Sequence, residues 1–113
     1  MIKINTCLEF RKGILFIRIS GAITKDTCTK YSEDVNDLIK DNGIKNVVLN
    51  LEKVEQIDLK GINLLFYTYE LAKNNKGKLY FTNINNIKER LNKSHILKYV
   101  DVLENELVSF ELA

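Results

Sequence analysis

The stretch "VVLNLEKVEQIDLKGINLL", residues 47–65, sets an apolar run, a short polar link, and then an acid and a glycine ahead of a second apolar pattern. Val47, Val48, Leu49 and Leu51 form a short, nearly continuous apolar strand of the kind buried on both faces. From Leu59 to Asn75 the apolar residues Ile62, Leu65, Phe66, Tyr69 and Ala72 return at helical spacing, which predicts an amphipathic helix. Asp58 stands where such a helix needs an N-cap, and "NNKGK" with Gly77 ends it. The unit is a strand, a corner and a helix, and the corner is Asp58, Leu59, Lys60 and Gly61.

Upstream, "IKINTCLEF" alternates Ile2, Ile4 and Thr6 against Lys3 and Asn5, and "ILFIRIS" puts Leu15, Ile17 and Ile19 on one face. "RKG" lies between them at residues 11–13, so the chain is expected to open with an antiparallel hairpin. After "GAI", Thr24 caps a predicted helix with apolar positions Cys28, Tyr31, Val35, Leu38 and Ile39 and with Asp26 in its first turn. Gly43 is its stop signal. Downstream, "KLYFTN" is a strand, and "INNIKERLNKS" carries Ile84, Ile87 and Leu91 at helical spacing. "HILKYVDVLENELVSFELA" closes in short elements. This order implies an α/β domain with a mixed sheet, because strand-helix-strand crossovers give parallel neighbours. Whether the helices cover one face or both is not readable from periodicity.

The 113 residues suit one domain, residues 1–113, and a hydrophobic content of 45% suffices for one core. The net charge of +2 comes from 17 basic and 15 acidic residues spread along the chain, so no strong field gathers nucleic acid or anionic lipid. "MIKINTCLEF" has no apolar segment behind a basic end, and "ILFI" and "VVL" fall far short of the roughly 20 residues that span a bilayer. A soluble, cytoplasmic protein without membrane insertion is expected. Cys7 and Cys28 lie far apart without metal-ligand spacing and are read as small core residues.

The residues of an active site are hard to assemble from this chain. His95, the only histidine, sits in "KSHIL" near a helix end and reads as a cap or surface residue. The five glycines are dispersed, so neither a dinucleotide fingerprint nor a Walker loop is present, and no cofactor is implied. "NNKGK" is basic but lacks an interleaved aromatic platform for nucleic acid. Glu52, Glu55 and Asp58 are three acids in one link, yet they lack the regular oxygen ligands of a calcium loop, and capping already accounts for Asp58.

The order of elements and the words around residue 58 resemble STAS domains, the fold of bacterial anti-sigma factor antagonists and of the cytoplasmic tails of sulfate transporters. The family pattern is an apolar strand ending in Asp-Leu, then apolar-Asp-Ser-Ser-Gly-Leu opening a helix, a Gly-containing turn, a strand, and an Asn followed by a helix. Its counterparts here are "VVLNLEKVEQIDLKGINLL", "KGKLYFTN" and "INNIKERLNKSHIL". The resemblance covers nearly the whole chain and is weaker in the first hairpin. It implies a single α/β STAS-like domain with an N-terminal β-hairpin, a mixed, mostly parallel sheet and packed helices. Three departures stand out: Asn50 where the family often has Asp, Lys60 in place of the second serine, and Leu59 in place of the serine that antagonists present for phosphorylation.

The resemblance implies a non-catalytic regulator that binds an ATP-dependent anti-sigma kinase in partner switching through Asp58, Leu59, Lys60 and Gly61. Ile23, Thr24 and Lys25 correspond by position to a neighbouring contact loop. Leucine has no hydroxyl, so residue 59 cannot take the added charge of about −1.5 to −2 that phosphoserine brings. Leu59 either docks on a partner or packs against its own domain, and Gly61 serves close packing, a partner's backbone, or both. Thr68 and Ser94 carry hydroxyls away from the acceptor position, each with an ordinary helix or cap reading. The alternative is a structural STAS subunit of a transporter, lipid-transport or STAS scaffold assembly, in which the corner serves packing only.

Overall fold

Lys12 and Gly13 form a two-residue loop with φ of 52° and 80°, the mirror-image turn whose twist matches that of the strands it joins. It connects β1 (Ile4–Arg11) to β2 (Ile14–Ile23), paired antiparallel from Arg11 opposite Ile14 to Ile4 opposite Gly21. The computed structural model describes residues 2–112, with side chains described through Ser109.

A helical run over residues 25–42 follows β2. It is not the uniform helix its periodicity predicts: a 3₁₀ turn (Lys25–Thr27), an α turn (Cys28–Tyr31), a π segment (Ser32–Asn36) and a closing α turn (Asp37–Asn42) succeed one another. Gly43, at φ 59°, ends it. The chain then enters β3 (Asn46–Ile57), the long helix Leu59–Asn74, β4 (Lys78–Thr82), a helix Lys88–Ser94 and β5 (Asp101–Leu103). The five strands lie in the order β1-β2-β3-β4-β5, antiparallel only between β1 and β2. Exposed His95, at φ 65°, ends the Lys88–Ser94 helix in the left-handed region.

β3 is longer than the sequence suggests, because the polar stretch 52–57 is strand rather than link. The pairing with β2 continues to Ile23 opposite Ile57, but its register shifts between Arg18 and Ser20 and again between Gly21 and Ala22. Each bulge places an extra residue on β3, so its buried positions after Leu51 fall at Val54 and Ile57 rather than at every second residue. That broken alternation is why the segment reads as a link.

Val47, Leu49 and Leu51 face the helices with Leu15, Ile17 and Ile19, and meet Tyr31, Val35, Ile39, Leu65, Ala72 and Leu91 in the main core. Val48 points the other way, into a smaller cluster with Ile14, Phe16 and the half-buried Tyr80, so the central strand is buried on both faces as expected. Cys28 is half-buried against the main core, whereas Cys7 is exposed, contrary to expectation. Cys7 lies on the outermost strand opposite Arg18, on the side away from the helices, so no core reaches it. No helix among the described residues is long and apolar enough to cross a membrane.

A buried polar cluster joins the first helical run to the long helix. Tyr31 Oη lies 2.7 Å from Thr68 Oγ1, which lies 2.6 Å from Asn36 Oδ1. Donation by Tyr31 leaves the Thr68 proton for Asn36, and burial raises the Tyr31 phenol above its ordinary range. Thr68 is fully buried and so unavailable for phosphorylation, while Ser94 turns its hydroxyl onto Leu91 O at 2.7 Å.

Candidate functional site

The corner is built by one carboxylate. Asp58 is the N-cap of the long helix, and its Oδ1 accepts the Gly61 N–H at 2.8 Å. Its Oδ2 accepts the Lys25 N–H at 3.0 Å, which ties the start of the first helical run to the start of the long one. The backbone adds a third link, Asp58 N–H to Ile23 O at 3.4 Å. The two segments named from the sequence, residues 23–25 and 58–61, are therefore joined side by side at the end of β2 and β3.

Burial pushes the Asp58 carboxyl up, but the N–H groups of Lys25, Gly61, Asp58 and Lys60 together outweigh it and hold the group below the usual carboxylate range. It is anionic at neutral pH with both oxygens engaged. Asp58 thus positions the corner and is half-buried within it.

The seven residues divide into a frame and a surface. Ile23 and Thr24 are buried at 0% and 7% exposure, and Gly61 is buried too. A side chain on Gly61 would run into the carbonyl of Ile23 and approach Ile57 Cγ1 at 2.8 Å, so internal packing accounts for the glycine. Leu59 stands at 75% exposure, and Lys25 and Lys60 beside it are exposed. Of the two readings of Leu59, packing against its own domain is set aside. Thr24 precedes the 3₁₀ turn as a cap, but the side-chain bond comes from the other partner, Thr27 Oγ1 accepting the Thr24 N–H at 2.9 Å.

Beside the corner lies an open groove of about 540 Å³, with Asp26, Glu55, Gln56 and Arg90 among its lining residues. Sequence reasoning did not connect Gln56 and Arg90 to the corner. Asp26 carried a signal as a first-turn acid and Glu55 as one of three acids in a link with Asp58, while Gln56 arrives there through the bulged end of β3 and Arg90 through the helix Lys88–Ser94. Among the described residues no group of three His, Cys, Asp or Glu side chains converges as a metal site. The arrangement presents an exposed leucine flanked by two exposed lysines.

Asn50, one of the departures noted in the sequence, has a local reason. Its Oδ1 accepts the Glu52 N–H at 3.0 Å while its Nδ2 donates to Glu106 Oε2 at 2.9 Å. An aspartate there would set a carboxylate against Glu106, which Arg18 also holds at 2.7 Å.

The STAS domain profile matches residues 5–108 of the chain. An anti-sigma F factor antagonist of Paenibacillus polymyxa is 23% identical over 101 residues, covering 88% of this chain and 86% of the relative. Among solved structures, an anti-sigma factor antagonist from Mycobacterium paratuberculosis superposes with a TM-score of 0.81 at 17% identity, over 97% of this chain and 93% of that one. The Bacillus cell fate determinant SpoIIAA in its phosphorylated form superposes with a TM-score of 0.73 at 14% identity, over 96% and 100% of the two chains.

Proposed function

The chain belongs to the STAS domain family, and on that premise we propose that it is a non-catalytic, cytoplasmic regulator of the anti-sigma factor antagonist type. It docks the Asp58–Gly61 corner, with Lys25 alongside, on an ATP-dependent anti-sigma kinase, and it needs no cofactor. The observation that carries this reading is Leu59: a leucine at 75% exposure in the first turn of a helix whose start is held by Asp58. Covered by a partner, such a side chain contributes about 1.5–3 kcal/mol before the costs of association. Because it has no hydroxyl, phosphorylation at residue 59 cannot end the contact.

Binding to the anti-sigma kinase of the same cell, titrated with ATP and with ADP, tests the proposal. The wild-type chain is expected to bind and to take up no phosphate, Leu59→Ala to bind more weakly, and Leu59→Ser to remain folded and offer a hydroxyl. Absence of binding to any such kinase, with recovery of the chain in a transporter, lipid-transport or STAS scaffold assembly and indifference to Leu59→Ser, replaces this reading with the structural one.

A further inference from the structure

We propose that two copies of this chain associate edge to edge through β1, forming a two-fold symmetric dimer with a continuous ten-stranded sheet. This rests on the strand edge and stands independently of the partner assigned to the corner.

β1 lies at the end of the sheet and pairs with β2 alone. Its eight residues contain no proline or lysine, and its two charged residues, Glu9 and Arg11, are ion-paired with each other, Glu9 also with Arg18 of β2. Leu8 and Phe10 are 44% and 62% exposed, although their cross-strand partners Ile17 and Leu15 are core residues. The opposite edge differs: β5 has three residues, and exposed Asp101 at its start is paired with Lys78.

The hairpin determines which backbone groups β1 offers. A two-residue loop closes on a hydrogen-bonded pair, here Arg11 and Ile14, so the odd-numbered residues of β1 direct their N–H and C=O groups toward β2. Thr6, Leu8 and Phe10 direct theirs to the open edge. An antiparallel two-fold pairing centred on Leu8 sets Leu8 against its own copy and Thr6 against Phe10 of the second chain, so that the outward groups of both strands meet. Cys7 then faces Glu9, and Asn5 faces Arg11, with no like charges directly opposed.

In this register the apolar side chains of both copies lie together on the helix side of the joined sheet. The paired stretch runs from Asn5, opposite Ser20 and three residues before Ile23, to Arg11, so along β2 the interface begins about 10 Å from Ile23 at 3.3 Å per residue. One short strand from each copy makes a small interface, so the association is weak.

Sedimentation equilibrium of the full chain from about 1 to 500 μM, as suits a small and weak interface, is expected to show a concentration-dependent rise from 13.1 kDa toward twice that mass. Leu8→Lys and Phe10→Lys are each expected to weaken dimerisation at least tenfold with unchanged circular dichroism, since both side chains are exposed. In a Cys7→Ser, Cys28→Ala background, Leu8→Cys is expected to oxidise to a covalent dimer, as is a mixture of Thr6→Cys and Phe10→Cys chains. A monomer at every concentration, a dimer indifferent to both lysines, or cross-linking of Phe10→Cys alone as efficient as that of Leu8→Cys overturns the proposal.

Discussion

Asp58 and Lys25 are joined by a 3.0 Å hydrogen bond from the Lys25 N–H to Oδ2, across 33 residues of sequence. The other oxygen, Oδ1, caps the long helix through the Gly61 N–H at 2.8 Å. One carboxylate therefore aligns two helix starts, and the exposed Leu59 inherits its position from both.

Replacing Asp58 with alanine is expected to cost about 1 kcal/mol at neutral pH, within the range for a lost cap. The folded-state pKa is lowered, so the wild-type advantage is full above the unfolded value of about 4 and is lost as pH falls through the lower folded value. Urea unfolding of both proteins between neutral and strongly acid pH checks this. A difference that stays constant into acid contradicts the role given to the carboxylate.

Gly61→Ala exchanges a poor helix former for the best, a gain of about 1 kcal/mol in an open helix. Here the added carbon meets the Ile23 carbonyl and Ile57, so a net loss of about 1–3 kcal/mol is expected. Denaturant midpoints at unchanged slope measure it.

Leu59→Ala is expected to change stability by less than about 0.5 kcal/mol, as for other exposed positions. Leu65→Ala, six residues further along the helix and in the core, should cost about 2–5 kcal/mol. The pair of melting curves separates a surface leucine from a packed one without reference to any partner.

Tyr31→Phe and Thr68→Val each break the buried chain of hydroxyls, and each is expected to cost about 1–3 kcal/mol. A double-mutant cycle should show that the two losses are not additive, because either change removes the same 2.7 Å contact. Full additivity would mean that the contact contributes nothing.

Asn50→Asp places a second carboxylate against Glu106. Burial alone pushes the Glu106 carboxyl up, but hydrogen bonds from Arg18 and Asn50 outweigh it and hold it below the usual range. Carboxyl NMR titration of the variant is expected to show the Glu106 pKa raised relative to wild type.

Much of the architecture was legible because it rests on local chemistry. The 3.6-residue spacing of Ile62, Leu65 and Ala72 marks the long helix, Asp58 and Gly43 mark its start and the end of the preceding run, and the alternation before Arg11 marks the hairpin. The bulged end of β3 was not legible: each extra residue reverses the side-chain alternation, so Leu51, Val54 and Ile57 fall three residues apart, a spacing that fits no strand. Cys7 was misread for a related reason. A strand's alternation says which residues share a face, but not which strand ends up at the edge.

The sequence by itself determined the element order, the cap at Asp58 and the apolar side chain at residue 59, since each depends on residue type and near-neighbour spacing. Only the tertiary structure decided that Leu59 is exposed, that Gly61 is needed to clear the Ile23 carbonyl, and that Lys25 shares the Asp58 carboxylate. These are contacts between segments distant in the chain, brought together when the sheet forms, and no local period encodes them.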